Sequence, residues 1–430
     1  MRSGRKFAAT RDRRKGKAQT HRRRIPLWPG ASTPSAAMNT TSAPSRRQFL
    51  ITTSALAAPA WLRAAEGVKL KAAVIGHTGR GDYGHGLDII FNDRPNVELV
   101  AVADANPDGL AKMAAKLKAP RSYADYRAML EKERPQLVSI APRHSDQHHA
   151  MGMAAVAVGA HLCLEKPFTP TLTEADELLA AADKRGLKIA VAHQTRMAPG
   201  AVHLRQRIAD GLIGELIELR AWGKQDARAG GEDMIVLGTH LFDLMRLFAG
   251  DPQWCIARVT QAGRDITPAD ARLMKDNVGP IAGDEVSAQF GFAKGVTATF
   301  TSRGKLREHV GHWGIEFIGT KGAARLLANL PPQIFLLKSS GWKPDGKTDE
   351  WRRLPDDPML NVPASAQGFT PSNARLVDDW LDAIARNRAP ECSGHNAMKA
   401  IEMVMAVYQA ALAAKRIPLP LVDRKHPLAT

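Results

Sequence analysis

Residues 69–86, KLKAAVIGHTGRGDYGHG, decide the fold. KLKAAVIG (69–76) is a short apolar run closed by glycine, the pattern of a strand buried on both faces. The written Gly-x-Gly-x-x-Gly match begins at Gly79, three residues after that strand ends. A turn that delivers backbone N–H groups to a phosphate must start where the strand stops, at Gly76. Gly76, His77, Thr78, Gly79, Arg80 and Gly81 therefore read as a slightly enlarged phosphate-facing turn, with Gly79 or Thr78 in the middle position. Gly84 then belongs to the approach to a helix near Leu87.

Further strands follow in step. VELVAVAD (97–104) ends in an acid, QLVSIAP (136–142) is a third apolar run, and HLCLEKPF (161–168) and LKIAVAHQ (187–194) add two more. Helix-like segments separate them: LDIIFND, PDGLAKMAAKLKA, YADYRAMLEKE, HHAMGMAAVAVGA and TEADELLAAADKRG. Regular alternation with short connections predicts an α/β class, with a doubly wound parallel sheet over residues 66–195. Asp104, at the end of the second strand, is placed to accept hydrogen bonds from the ribose hydroxyls of an adenosine. It would also repel a 2′-phosphate, which favours NAD over NADP.

After about residue 200 the pattern changes. IGELIELRAWGK (213–224), EVSAQFGFA (285–293), GVTATFTSRG (295–304) and GIEFIGT (314–320) alternate apolar and polar residues, with turns between several of them. The expectation for residues 196–430 is an α+β domain built on an open, largely antiparallel sheet. RLVDDWLDAIARN and NAMKAIEMVMAVYQAALAAK are amphipathic helices expected to pack back on the first domain.

The formal charge of +17 looks at first like a nucleic-acid binder. Residues 1–37, however, hold eleven Lys/Arg against Asp12 alone. Arg46, Arg47 and Arg63 add three more charges, so residues 66–430 carry only +4. That is an ordinary balance, and nucleic acid is set aside. SRRQFLITTSALAAPA (45–60) places paired arginines, Phe-Leu, a short apolar run and small residues at Ala58-Pro59-Ala60 in the order of a twin-arginine export signal. Residues 1–65 thus read as a leader, with Met38 as the expected true start. The apolar run is too short to span a bilayer. The partner expected there is the twin-arginine export machinery, and the destination is the periplasm or another exported location.

Cys163, Cys255 and Cys392 are widely separated and show no metal or disulfide spacing. His144, His148 and His149 lack a carboxylate to complete a cluster, so no metal is expected.

Several stretches, taken in order, resemble one family. The VIG strand with its glycines, VAVAD, IAPRHSDQHH, HLCLEKP, DGLIGELIELRAWG and LGTHLFDLMRLFAG look like the glucose-fructose oxidoreductase / inositol dehydrogenase (Gfo/Idh/MocA) family over roughly residues 68–415. The resemblance implies a Rossmann domain and a nicotinamide-dependent oxidoreductase acting on CH-OH groups of sugars, cyclic polyols or related hydroxy compounds. It implies that Lys166, in Glu165-Lys166-Pro167, lies between nicotinamide and substrate, and that His240 is the helix histidine of the site. By the same resemblance Pro142, Arg143, His148, Glu165 and Gln194 line the cofactor cleft, and a homo-oligomer forms through the open sheet.

One position departs from the family. Where an aspartate usually orients the histidine, this chain has Val236. A histidine acting as a base works best when a partner fixes its tautomer. Asp243, one turn further along, is the first candidate for an orienting or substrate-binding group, and Glu232 and Asp233 lie just upstream. Lys166 is then the hydroxyl-polarising residue and His240 the general acid/base. Arg246 is expected in an ion pair.

Export sharpens the reading. Free nicotinamide nucleotides are scarce outside the cytoplasm, so a non-dissociating cofactor regenerated in place is expected. Three functions fit these residues: an oxidoreductase for a sugar, glycoside or polyol; a redox-neutral NAD-dependent glycosidase or lyase; or a sugar-binding accessory protein that keeps the fold without turnover.

Overall fold

The computed structural model describes residues 69–304, 313–328, 332–346, 349–363 and 368–429. The leader, its paired arginines, Met38 and Ala58-Pro59-Ala60 lie outside them. All the described residues fall within one compact unit.

β1 (Leu70–Ile75), β2 (Val97–Ala103), β3 (Ser122–Tyr123), β4 (Leu137–Ile140), β5 (His161–Leu164) and β6 (Ile189–Val191) form a parallel sheet in the order β3-β2-β1-β4-β5-β6. Ala72, Ala73, Val74 and Ile75 are essentially unexposed because β1 has a strand on either side and cover on both faces. Burial on both sides is why this strand reads as a continuous apolar run. Its covering helices include α1 (Pro107–Leu117), α2 (Tyr126–Glu133), α3 (His148–Ala157) and α4 (Leu172–Lys184). Strong local signals start them: Asn106 caps α1 ahead of Pro107, and Thr171 with Glu174 forms a capping box on α4. The chain winds outward from β1 in one direction and from β4 in the other. A crevice therefore opens between their C-terminal ends.

The helix expected at LDIIFND is largely missing. A short 3-10 segment, Gly84–Ile89, stands in its place, with His85 (φ 41°) and Gly86 (φ 80°) in the left-handed region. These two residues stop a helix from starting before Leu87, and left-handed Asp93 (φ 58°) closes the stretch, so only short turns fit between them.

α5 (Pro199–Ala209) leads to the second sheet. Its strands are β7 (Leu216–Trp222), β8 (Trp254–Gln261), β9 (Arg264–Asp265), β10 (Glu285–Gly291), β11 (Thr297–Arg303), β12 (Gly314–Gly319), β13 (Gly322–Leu327), β14 (Gln333–Leu337), β15 (Arg352–Arg353) and β16 (Ile417–Pro418). They run β15-β14-β13-β12-β7-β11-β10-β8-β16, with β9 on β8; only the β7–β11 pairing is parallel. β8 is an interior strand that the sequence pattern did not mark. WCIARVTQ carries Arg258 in its middle, and its apolar alternation is weak. The register with β10, from Glu285↔Thr260 to Gly291↔Trp254, supplies what its own pattern lacks.

Between the sheets, α6 (Gly230–Asp233) runs through a wide π-turn, Met234–Gly238, into α7 (Thr239–Ala249). Phe242 of α7 meets Phe290 and Phe300 edge to face, with ring centroids 5.4 and 5.0 Å apart, so α7 is seated on β10 and β11. α8 (Phe369–Ala385) returns to the first sheet, where Leu376, Val377, Trp380 and Ile384 join the cluster of Ala72, Val74 and Val102. α9 (Gly394–Ala413) is buried along most of its length.

Trp380 is fully buried, and its indole N–H donates to the Lys188 carbonyl at 3.1 Å. Trp380→Ala is expected to cost about 3–5 kcal/mol by denaturant unfolding, because it leaves a large cavity in the core.

Candidate active site

The turn after β1 is closed by its own hydrogen bonds. The His77 N–H donates to the Asp82 carbonyl at 3.3 Å, and Arg80 and Asp82 N–H groups return to the His77 carbonyl at 2.9 Å each. Gly79 N–H goes to Asp82 Oδ1 at 2.8 Å. Gly81 and Tyr83 keep N–H groups with no acceptor among the described residues. Gly79 (φ 80°) has open space where a side chain would stand. Gly81 (φ 87°) lies so close to Arg143 and His144 that a Cβ would sit 2.7 and 2.6 Å from their backbone nitrogens. Both positions require glycine, and the open face at Gly79 fits the close approach of a dinucleotide phosphate.

Asp104 stands at the end of β2, against the turn. Its carboxylate is 1% exposed and turns back into the loop. It accepts from Thr78 N–H at 3.1 Å, Thr78 Oγ1 at 2.6 Å and Asn106 N–H at 2.9 Å. These bonds make Asp104 a latch on the phosphate turn, a role distinct from the ribose contact expected from its place at the strand end.

Beyond the turn, β5 delivers Glu165 and Lys166. Glu165 is fully buried between the His85 ring and the Lys166 N–H, the latter at 2.7 Å. Burial alone would raise this carboxyl; His85 and the Lys166 ammonium outweigh it and hold it below the usual range. Lys166 Nζ crosses to the second sheet's helix and donates to the Val236 carbonyl at 3.0 Å. Val236 lies in the π-turn, which is wound wider than an α-helix and alters the carbonyl ladder at that point. Burial drives the Lys166 ammonium below the ordinary lysine range, against the opposing pull of Glu165 and with Arg228 adding to the effect.

His240 opens α7 beside this contact. Its ring packs edge-on to His193 (5.2 Å between centroids) and Trp313 (5.8 Å). Burial, then Lys166, His193 and His85, hold it well below the usual histidine value of 6.5, so it is neutral. Lys166 and His240 line one cavity of about 560 Å³ with His85, Arg143, Gln194 and Arg228. Asp276, Trp313 and Phe369 complete much of its wall. Such a cavity can hold a hydroxyl compound against a cation and a neutral base.

The other residues singled out in the sequence fall in different places. Arg143 reaches the cavity while holding the Gly81 carbonyl at 3.3 Å. Gln194 lines it too, anchored on Asn373 at 2.8 Å. His77 is bound to Gln147, and Arg80 pairs with Asp146 on the surface. His148 is fully buried away from the cleft. Its ring nitrogens lie 2.8 Å from the Pro142 carbonyl and 3.0 Å from the Pro167 carbonyl; whichever nitrogen carries the proton donates to its carbonyl, which places the ring between the Glu-Lys-Pro segment and the end of β4. Pro142 contributes through that carbonyl.

Asp243 does not line this cavity. Both carboxylate oxygens are held by Arg196, at 2.8 and 2.9 Å, in a buried bidentate pair. Asp233 accepts from Ser302 Oγ at 2.7 Å and from the Lys224 and Gln225 N–H groups, bracing the 224–230 loop instead of reaching inward. Glu232 is buried, and burial with Asp276 nearby raises its carboxyl to about 7. Arg246 pairs with Asp251 at 2.7 Å. His85, Arg228, Asp276, Trp313 and Phe369 were not read as site residues. Only His85 carried a signal, its place between Gly84 and Gly86. Among the described residues, no group of three or more His, Cys, Asp or Glu is placed to hold a metal.

A doubly wound sheet with a glycine turn at its switch point, facing a lysine and a histidine in one cavity, defines a nucleotide-dependent oxidoreductase. The chain belongs to the Gfo/Idh/MocA oxidoreductase family: residues 70–193 match its NAD-binding Rossmann fold and residues 212–419 its C-terminal alpha/beta domain. It is 25% identical to a D-apiose dehydrogenase of Paraburkholderia graminis, over 79% of this chain and 88% of that protein. It is 28% identical to a D-glucoside 3-dehydrogenase of Escherichia coli, over 43% of this chain and 55% of that protein. A levoglucosan dehydrogenase solved with NADH and levoglucosan shares the fold, with a TM-score of 0.66 and 20% identity over 82% of this chain and all of that one.

The two roles for Asp104 separate in one experiment. Asp104→Asn is expected to lower stability by about 1–3 kcal/mol and to weaken NAD and NADP binding in parallel. A ribose-reading aspartate would instead change the ratio of the two affinities.

Proposed function

We propose that this chain oxidises a hydroxyl group of a sugar, glycoside or cyclic polyol, with NAD as the hydride acceptor. The observation that carries this reading is the meeting of Lys166, from the parallel sheet, with His240, from the helix on the second sheet, in a single cavity. When bound, the nicotinamide supplies the hydride acceptor. Lys166 keeps one N–H on the Val236 carbonyl and has two left for the substrate oxygen, which fixes the direction of its charge. His240, neutral through burial, takes the hydroxyl proton as general base. The names of the relatives support a sugar-type substrate, and the family's NAD-binding description supports the choice of cofactor.

The proposal includes export by the twin-arginine route, on the strength of SRRQFLITTSALAAPA, and a cofactor held tightly enough to leave the cytoplasm with the folded protein. Denaturing the purified protein is expected to release about one nucleotide per chain; protein that emerges from gel filtration free of nucleotide would refute tight retention.

Lys166→Ala and His240→Ala are each expected to lower kcat by about 10²–10⁴-fold while the fold, read by circular dichroism, is kept. If Lys166 acts as an ammonium, kcat/KM declines as pH rises through a value below the ordinary 10.5, because burial has lowered its titration. Lys166→Arg should remove that alkaline limb, since a guanidinium stays charged.

A further inference from the structure

Among the described residues, His193 is the ring packed against His240 that can accept a hydrogen bond from it, and no role has yet been given to it. It follows β6, where its backbone is fixed at both ends: its N–H donates to the Val191 carbonyl at 2.7 Å, and its carbonyl accepts from Cys392 Sγ at 3.5 Å. Its ring stands edge-on to that of His240, with centroids 5.2 Å apart and planes at 73°. Among the described residues, His193 Nε2 and His240 Nδ1 are both buried with no hydrogen-bond partner.

Two unmet polar atoms on neighbouring buried rings are unusual, because leaving either unpaired costs more than a hydrogen bond returns. Trp313, the other ring against His240, carries an indole N–H that can only donate, so it cannot take the proton of a histidine nitrogen. The carboxylate that the family places one turn before the histidine is absent, since Val236 stands there and its carbonyl already serves Lys166. Asp243 is occupied by Arg196. Among the described residues, His193 is what remains.

We infer that His193 is the positioning residue of His240, its Nε2 accepting a hydrogen bond from His240 Nδ1–H so that His240 Nε2 stays unprotonated and free to receive the substrate proton. The edge contact between the two rings is the geometry from which that bond would form. The charged and titratable groups around the pair are Asp243, Arg196, Lys166 and Glu165 about His193, and Lys166 and His85 about His240. Burial pushes His193 down to about 4, so at neutral pH it keeps one ring proton, and with that proton on Nδ1 its Nε2 accepts.

The inference rests on His240 as the proton acceptor, and its test has one readout that needs no turnover. Long-range proton–nitrogen NMR on imidazole-labelled full-length protein is expected to show His240 with its proton on Nδ1. In His193→Phe, which keeps a flat ring but removes the acceptor, His240 should shift towards the Nε2–H tautomer. His193→Gln, which restores an acceptor oxygen, should bring it back. In steady-state assays His193→Phe is expected to lower kcat by about 10- to 100-fold with little change in KM, and to add nothing further in a His240→Ala background. An unchanged tautomer in His193→Phe, or an equal loss of kcat with and without His240, would overturn the inference. If no sugar or polyol is oxidised by the unaltered protein, the functional reading fails, while the tautomer measurement still decides the role of His193.

Discussion

The contact between Lys166 Nζ and the Val236 carbonyl holds the site together. Lys166 comes from the end of a strand in the parallel sheet, and Val236 from the π-turn ahead of the helix that carries His240. The bond therefore aims the lysine and sets its distance from the histidine at once. A neutral carbonyl is a weaker partner than a carboxylate, so it leaves the ammonium destabilised by burial rather than fully compensated. The absence of an aspartate at position 236 thus changes two residues together: the lysine is oriented by backbone, and the histidine loses the partner that would fix its tautomer.

The nucleotide turn is built from similar economy. Asp104 bonds to Thr78 and Asn106, so the strand end holds the glycine loop in shape. His148 does comparable work for the Glu-Lys-Pro segment through backbone carbonyls. In both cases a polar residue expected at the cofactor is bonded to the backbone of a neighbouring loop. Residues with the right chemistry at the right strand end need not touch the ligand. Their lone pairs have to be counted first.

How far the structure was legible in the sequence follows from the range of the forces involved. Strands buried on both faces, such as Ala72–Ile75, announce themselves through local composition, and capped helices such as Leu172–Lys184 through their first turn. β8 did not, because its place is set by pairing with β10, a long-range constraint that its weakly alternating residues do not encode. The helix expected after the glycines is cut to short turns because left-handed residues bound it on both sides, His85 and Gly86 before and Asp93 after. Lys166 and His240 were legible through their motif context. Trp313 and Phe369 enter the cavity from distant segments, and nothing near them in the chain marks them. The engagement of Asp243 by Arg196 is a tertiary pairing across 47 positions, invisible to any local pattern.

The central claim is that Lys166 and His240 act with a bound nicotinamide on a hydroxyl group. Anaerobic mixing of the purified, nucleotide-loaded protein with a panel of sugars, glycosides and polyols, followed at 340 nm, tests it most directly. A rise stoichiometric with bound nucleotide, reversed by the corresponding carbonyl product and abolished in Lys166→Ala, is the predicted result. Binding of sugars without any absorbance change, or glycoside cleavage with no net reduction, would contradict it.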